Sequence, residues 1–128
     1  MRLIAGRDKK GLAIMNGTAE ALKLTMPASV FSRSTECHNQ DKVSMGAIAA
    51  RDSIRILELT GQVAAAKLLA VVQGVELRGN WEALSPALKT TLAQLRQYSP
   101  FLSTDRALEQ ELRLCLELIR KQHWNLYD

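Results

Sequence analysis

The sequence predicts an all-α chain, one long central helix plus shorter helices. Three observations predict this. Apolar residues recur at threes and fours almost throughout, and strict alternation is rare. The breakers that divide the pattern are few, seven Gly and three Pro in 128 residues. No internal repeat or low-complexity stretch interrupts it, so residues 1–128 read as a single all-helical segment.

The first helix is expected from about Asp8 to Lys23, with Leu12, Met15, Ala19 and Leu22 on one face. Gly11 and Gly17 weaken it, each by roughly 1 kcal/mol relative to Ala. Pro27 stops it, and the polar stretch to Lys42 reads as an irregular loop. The second helix is the long one, from about Val43 to Leu77, with Asp41 or Ser44 placed to cap its first turn. One stripe along it comprises Ile54, Leu57, Gly61, Ala64, Leu68, Val71 and Val75. A second, beside it, comprises Ile56, Leu59, Val63, Ala66 and Ala70. Between Val63 and Val72 only Lys67 is charged, so this part is expected to be buried on several sides. The third helix starts at Ser85-Pro86, a cap followed by Pro at the first helical position, and runs to about Tyr98. The fourth is expected from Asp105, as its cap, to about His123, with Leu108, Leu112, Cys115 and Ile119 on one face and Leu114 and Leu118 off it.

At 1.5 Å per residue the second helix is roughly 50 Å long, against about 30 Å for the diameter of a compact globule of this size. Three shorter helices do not cover it. The long helix is therefore expected to lie against copies of itself or against another part of a larger protein.

Composition narrows the function classes. With 47% hydrophobic residues the chain is expected to order. The formal charge of +4 is diffuse: only Lys9-Lys10 and Arg120-Lys121 are adjacent basic pairs and aromatics are 5%, so no nucleic-acid partner is expected. Uncharged apolar runs fall short of the ~20 residues that span a bilayer, and no membrane span is expected. Residues 1–8 lack the apolar stretch of a secretory signal, and the two cysteines, Cys37 and Cys115, form no CxxC pair; both suggest a cytoplasmic setting. Metal binding fits badly, because Cys37 and His38 are adjacent while Cys115 and His123, eight apart, fall on different faces of a helix. Cys115 reads as a core residue.

The stretch from Ser34 to Asp41 is unusual in crowding a carboxylate, an imidazole and two amides into five positions just before the long helix begins. The helix dipole and free N–H groups lie beside it. It suits a solvated capping loop; it also suits a small zwitterion, with Glu36 taking an amine and Asn39 and Gln40 supplying amide contacts.

The run Glu36-Cys37-His38-Asn39-Gln40-Asp41-Lys42-Val43-Ser44-Met45-Gly46, followed by Ala49-Ala50-Arg51, resembles the C-terminal part of the aromatic amino acid ammonia-lyases, the histidine, phenylalanine and tyrosine enzymes with their related aminomutases. The resemblance extends upstream through Gly11-Leu12, Thr18-Ala19 and Pro27-Ala28-Ser29-Val30, and downstream through Leu69-Ala70, Gln73-Gly74 and Leu84-Ser85-Pro86. It implies a mostly helical homotetramer of subunits about four times longer than this chain, with a central bundle of long helices. It also implies elimination of ammonia from an aromatic amino acid to give a trans-2-enoic acid. The electrophile would be a methylidene-imidazolone cyclised from an internal Ala-Ser-Gly, with a tyrosine base removing a β-proton.

By the same resemblance Gln40 matches the position facing the electrophile and the aromatic substrate, and Glu36 an acidic residue near the substrate amine. The Asn39-Gln40-Asp41 order favours phenylalanine or tyrosine, whereas Val43-Ser44-Met45-Gly46 looks more like the bacterial histidine enzymes. The only Ala-Ser pair, Ala28-Ser29, is followed by Val30, and Tyr98 and Tyr127 do not match the family's base. The resemblance thus implies a C-terminal lyase segment that contributes Glu36, Asn39 and Gln40 to a pocket, holds no catalytic residue of its own and is inactive alone. The other reading is a non-catalytic helical module that pairs with a full-length lyase subunit.

Overall fold

The structure, a computed structural model, describes residues 2–3, 7–34, 37 and 43–124, with side chains from residue 14 onward. Among the described residues there are four α-helices: α1 (Arg7–Lys23), α2 (Gly46–Arg78), α3 (Pro86–Tyr98) and α4 (Glu109–Arg120). Single 3-10 turns stand at Ala28–Phe31 and Trp81–Ala83. A short antiparallel pair, β1 (Arg2–Leu3) with β2 (Arg106–Ala107), sets Arg2 opposite Ala107 and Leu3 opposite Arg106. The all-α expectation holds, with boundaries within a few residues except at the start of α4.

α2 is the axis on which the other elements pack. Its inward side consists of Leu59, Ala65, Ala66, Leu69, Val72 and Gln73, all buried. Ala65, Leu69 and Val72 meet Leu92 and Leu95 of α3, Cys115 of α4 and Trp124 in one core cluster. α2 ends as its sequence requires. Gly79 at φ 67° takes the left-handed conformation that L side chains resist, and its N–H bonds the Glu76 carbonyl at 3.1 Å. α3 starts as expected too, with Ser85 Oγ accepting from Leu88 N–H at 3.4 Å and Pro86 at the first position.

Four expectations need correction. On α1 the half-buried residues are Ile14, Gly17 and Ala21, with Leu24 just beyond its end, while Met15, Ala19 and Leu22 face outward, Met15 and Leu22 being 68% and 64% exposed. The reason lies at Gly17, where a Cβ would stand 2.8 Å from Cγ2 of Val63. The missing side chain lets α2 come close on that face, and closeness decides the packing rather than size. On α2 the second stripe and its neighbours face inward, whereas the first stripe is largely outward, with Ile54, Leu57 and Val71 exposed. Burial of α2 within this chain is thus one-sided, not all round. Asp105 does not cap α4. Leu108 holds the cap position without a side-chain bond, because residues 106–107 are held extended against β1 and Leu108 is buried with Leu102. Finally, α2 is long and apolar enough to cross a bilayer by length and composition, with a mean hydropathy of 1.3 over eighteen residues. A third of that window is buried inside the chain. For the α2 cap, Asp41 lies outside the described residues; Met45 takes the cap position and Ser44 Oγ accepts from Gly46 N–H at 3.4 Å.

A polar hub pins the α3–α4 connection onto α2. Arg96 donates from Nε to Glu76 Oε1 at 2.7 Å and from Nη2 to Oε2 at 2.6 Å, and from Nη1 to the Ser99 carbonyl at 2.8 Å. Gln73 pairs with the Leu102 backbone in both directions at 3.1 Å and accepts from Arg96 at 3.1 Å. A fork of this kind satisfies the charge and the buried amide together. Arg106 pairs with Glu111 and donates to the Pro100 carbonyl at 3.0 Å, closing the same turn from its other end.

Candidate functional site

Glu36, Asn39 and Gln40 lie outside the described residues. The stems on either side of them are described. Upstream, Ala28–Phe31 forms a 3-10 turn with Ala28 buried, and Ser32 N–H closes it on the Ser29 carbonyl at 3.2 Å. Downstream, Val43 leads through Ser44 and Met45 into α2, whose first full-turn bond runs from Ala49 N–H to the Met45 carbonyl at 3.0 Å. The two stems meet. Ser32 Oγ donates to the Val43 carbonyl at 2.8 Å and accepts from Val43 N–H at 2.9 Å. Cys37, between them, is exposed and holds φ at 55°, a left-handed value uncommon for a non-glycine residue.

The electrostatics of this end are set by α2. Its first turn contains no acidic side chain, so the partial positive charge of the helix start is not offset there. Among the described residues the nearest ion pair along α2 is Arg55 with Glu20 of α1 at 3.1 Å and Glu58 at 3.2 Å; Glu20 first, then Glu58, holds the Arg55 guanidinium above its ordinary value. It ties α1 to α2 and leaves both acids occupied.

A groove among the described residues lies elsewhere. About 530 Å³ in volume, it runs between α1, α2 and α4 and is walled by Gly17, Val63, Ala66, Leu112 and Leu116, with the Glu109–Arg113 pair (2.7 Å) at its rim. Sixteen residues of helix, about 24 Å, separate Gly46 from Gln62 on its wall. The ionisable groups that line it, Glu109 and Arg113, are paired with each other. Cys115, the other thiol, is buried in the core, and burial pushes it up to about 11, which makes it inert at neutral pH.

Sequence reasoning missed two features. The Gln73–Glu76–Arg96 hub was signalled only by two polar residues three apart on the buried side of α2. The Ser32 clamp carried no signal beyond the Ser-rich composition of its loop.

Comparison with known proteins places these observations in a family. The family model described as aromatic amino acid lyase matches residues 9–97. The chain is similar to a tyrosine ammonia-lyase of Cupriavidus metallidurans, 41% identical over 103 residues, covering 80% of this chain and 19% of that protein. It is similar to a histidine ammonia-lyase of Shouchella clausii, 32% identical over 117 residues, covering 88% of this chain and 23% of that protein. Its fold overlays the crystal structure of a tyrosine aminomutase from Streptomyces globisporus with a TM-score of 0.78 at 31% identity, covering 95% of this chain and 23% of that one. The chain spans about a fifth of the length of the curated relatives it matches. With most of its residues matched and its fold shared throughout, this chain belongs to the aromatic amino acid lyase family.

Proposed function

We propose that the chain is the C-terminal segment of an aromatic amino acid ammonia-lyase, supplying Glu36, Asn39 and Gln40 to a substrate pocket that other segments complete. The observation that carries this is the joint one: a fold shared over 95% of the chain with a tyrosine aminomutase, and the Asn39-Gln40-Asp41 and Val43–Gly46 strings that precede α2 in the sequence. The complete enzyme eliminates ammonia from Phe, Tyr or His to give a trans-2-enoic acid. Its methylidene-imidazolone supplies an electrophile that activates the amine as a leaving group. Ala28-Ser29-Val30 does not fit the precursor of that group. Val30 stands where glycine is required, and the three residues are wound into a 3-10 turn with Ala28 buried. The group therefore comes from another segment, no catalytic residue is assigned to this chain, and the chain is inactive alone.

The chain's own part is recognition. Glu36 holds the substrate ammonium by charge-assisted hydrogen bonds. The Asn39 and Gln40 amides, each able to donate and accept, orient the polar groups of substrate beside the start of α2. The protein acts as a homo-oligomer, in the cytoplasm, on a small aromatic amino acid. Co-expression tests the reading: the chain is produced with the remaining N-terminal part of a tyrosine ammonia-lyase subunit as a separate polypeptide, and enoic acid is followed by its ultraviolet absorbance. Product is expected only when both are present. A co-purifying but inactive pair would contradict the reading.

A second reading is favoured by the outward stripe of α2, with Ile54 at 60% and Leu57 at 72% exposure. In it the chain is a non-catalytic helical module that pairs with a full-length lyase subunit. Co-migration of the two on a sizing column, with no gain in activity, would select it.

A further inference from the structure

Two helices of this chain stop on a left-handed residue, with different chemistry. Past the end of α4 the Gln122 N–H bonds the Ile119 carbonyl and the His123 N–H bonds the Leu118 carbonyl, both at 3.0 Å, the crossed pair of a Schellman turn. Such a turn requires a positive φ just beyond the helix, a place that glycine fills at least cost. α2 has Gly79 at φ 67°, whereas α4 has Gln122 at φ 50°, where a Cβ is strained. The turn delivers Trp124 into the core. The indole is 7% exposed and joins Leu69 and Val72 of α2, Leu95 of α3 and Cys115 of α4 in one cluster. Its Nε1–H is buried and finds no acceptor among the described residues, while the His123 ring stands edge-on to it, 5.7 Å between centroids.

Closed, this segment bears two costs at once, a strained backbone and an unpaired buried donor. Both disappear when it opens, because Gln122 relaxes and the indole N–H meets water. They offset much of what burial of one indole contributes. The backbone bonds given by Gln122 and His123 run to α4 itself, so the segment is held to α2 and α3 through the packing of Trp124. We propose that residues 122–124 form a latch, which opens by itself on the order of 1% of the time while the four helices stay packed. Opening withdraws the indole and uncovers an apolar slot beside Leu69, Val72 and Leu95; Cys115 stays in α4 against α2.

The test is fluorine NMR of the full chain at low concentration, with fluorotryptophan at Trp81 and Trp124, the two tryptophans, and Trp81→Phe to assign the signals. A fluorine on the benzene part of the ring leaves the indole N–H in place. Well below the thermal midpoint, the Trp124 line is expected to show microsecond-to-millisecond exchange with a solvent-exposed state while the Trp81 line stays sharp. Gln122→Gly keeps the turn and removes the strain, and is expected to lower the open population about fivefold. Gln122→Val, β-branched and worse suited to a positive φ, is expected to raise it by about as much. A Trp124 line as sharp as that of Trp81 up to the onset of unfolding would overturn the latch. So would an open population that Gln122→Gly leaves unchanged, because strain would not then be driving it. If both lines broaden together and track the loss of helix by circular dichroism, the bundle opens as a whole and the latch falls as well.

Discussion

Three helical glycines give the packing account a graded test, because alanine meets a different neighbour at each. In a helix interior Ala is favoured over Gly by about 0.8–1 kcal/mol. Forcing a methyl into a filled contact costs about 1–3 kcal/mol. At Gly74 a Cβ meets nothing within 4 Å, so the propensity gain stands alone and Gly74→Ala is expected to stabilise by about 0.8 kcal/mol. At Gly61 the Cβ would lie 2.8 Å from Leu116 Cδ1, the far end of a half-buried, rotatable side chain. The two effects then nearly cancel, and Gly61→Ala is expected within about 0.5 kcal/mol of the parent. At Gly17 the same 2.8 Å separates the Cβ from Val63 Cγ2. A β-branched side chain on a helix has essentially one rotamer, so α1 and α2 must move apart, and Gly17→Ala is expected to destabilise by about 1–2 kcal/mol. The assay is urea unfolding followed by circular dichroism at one low chain concentration, comparing midpoints at constant slope. A Gly17→Ala midpoint at or above that of the parent would refute the close α1–α2 contact, whatever the other two do.

Removing Arg96 leaves the Glu76 carboxylate and the Gln73 amide short of partners in a partly buried place. Arg96→Ala is expected to destabilise by about 2–3 kcal/mol, and a double-mutant cycle with Glu76→Gln should show coupling above about 1 kcal/mol. Leu57→Glu on the outward stripe of α2 is expected to change the chain's own unfolding free energy by less than about 0.5 kcal/mol while abolishing self-association in sedimentation; equal association in both would show that this stripe is not a contact surface. For Cys115 the folded value of about 11 lies above the unfolded 9.0. Its thiol therefore contributes stability that is complete below about pH 9 and is lost as pH rises toward 11, and Cys115→Val should flatten that alkaline limb. Below pH 9 a thiol reagent should label exposed Cys37 and leave Cys115 untouched until the chain unfolds.

Much of the fold was legible because the chain's local signals agree with one another. Ser85-Pro86 marks the start of α3, Gly79 the end of α2, and threes-and-fours spacing supplied the helices between. What was not legible depended on contacts distant in sequence. Met15 and Leu22 look like a buried face by hydrophobicity, yet Gly17 decides the α1 face because a missing side chain admits Val63. On α2, apolar on several sides, periodicity could not rank the stripes, and α3, α4 and the buried Gln73 chose the inward one. Asp105 has the chemistry of a cap, but pairing of the next two residues with Leu3 and Arg2 delays the helix to Glu109. Of the site, the residue types and their order carried the family. The hydroxyl of Ser32 and its partner eleven positions on became apparent only in three dimensions.

The central claim, that this segment supplies substrate-recognition residues to an ammonia-lyase, is tested most directly by the turnover of Gln40→Ala in the assembled enzyme. Turnover is expected to fall more than tenfold with the thermal midpoint essentially unchanged, since a recognition amide is being lost rather than a core contact. Kinetics equal to those of the parent would contradict the claim and remove Gln40 from the site.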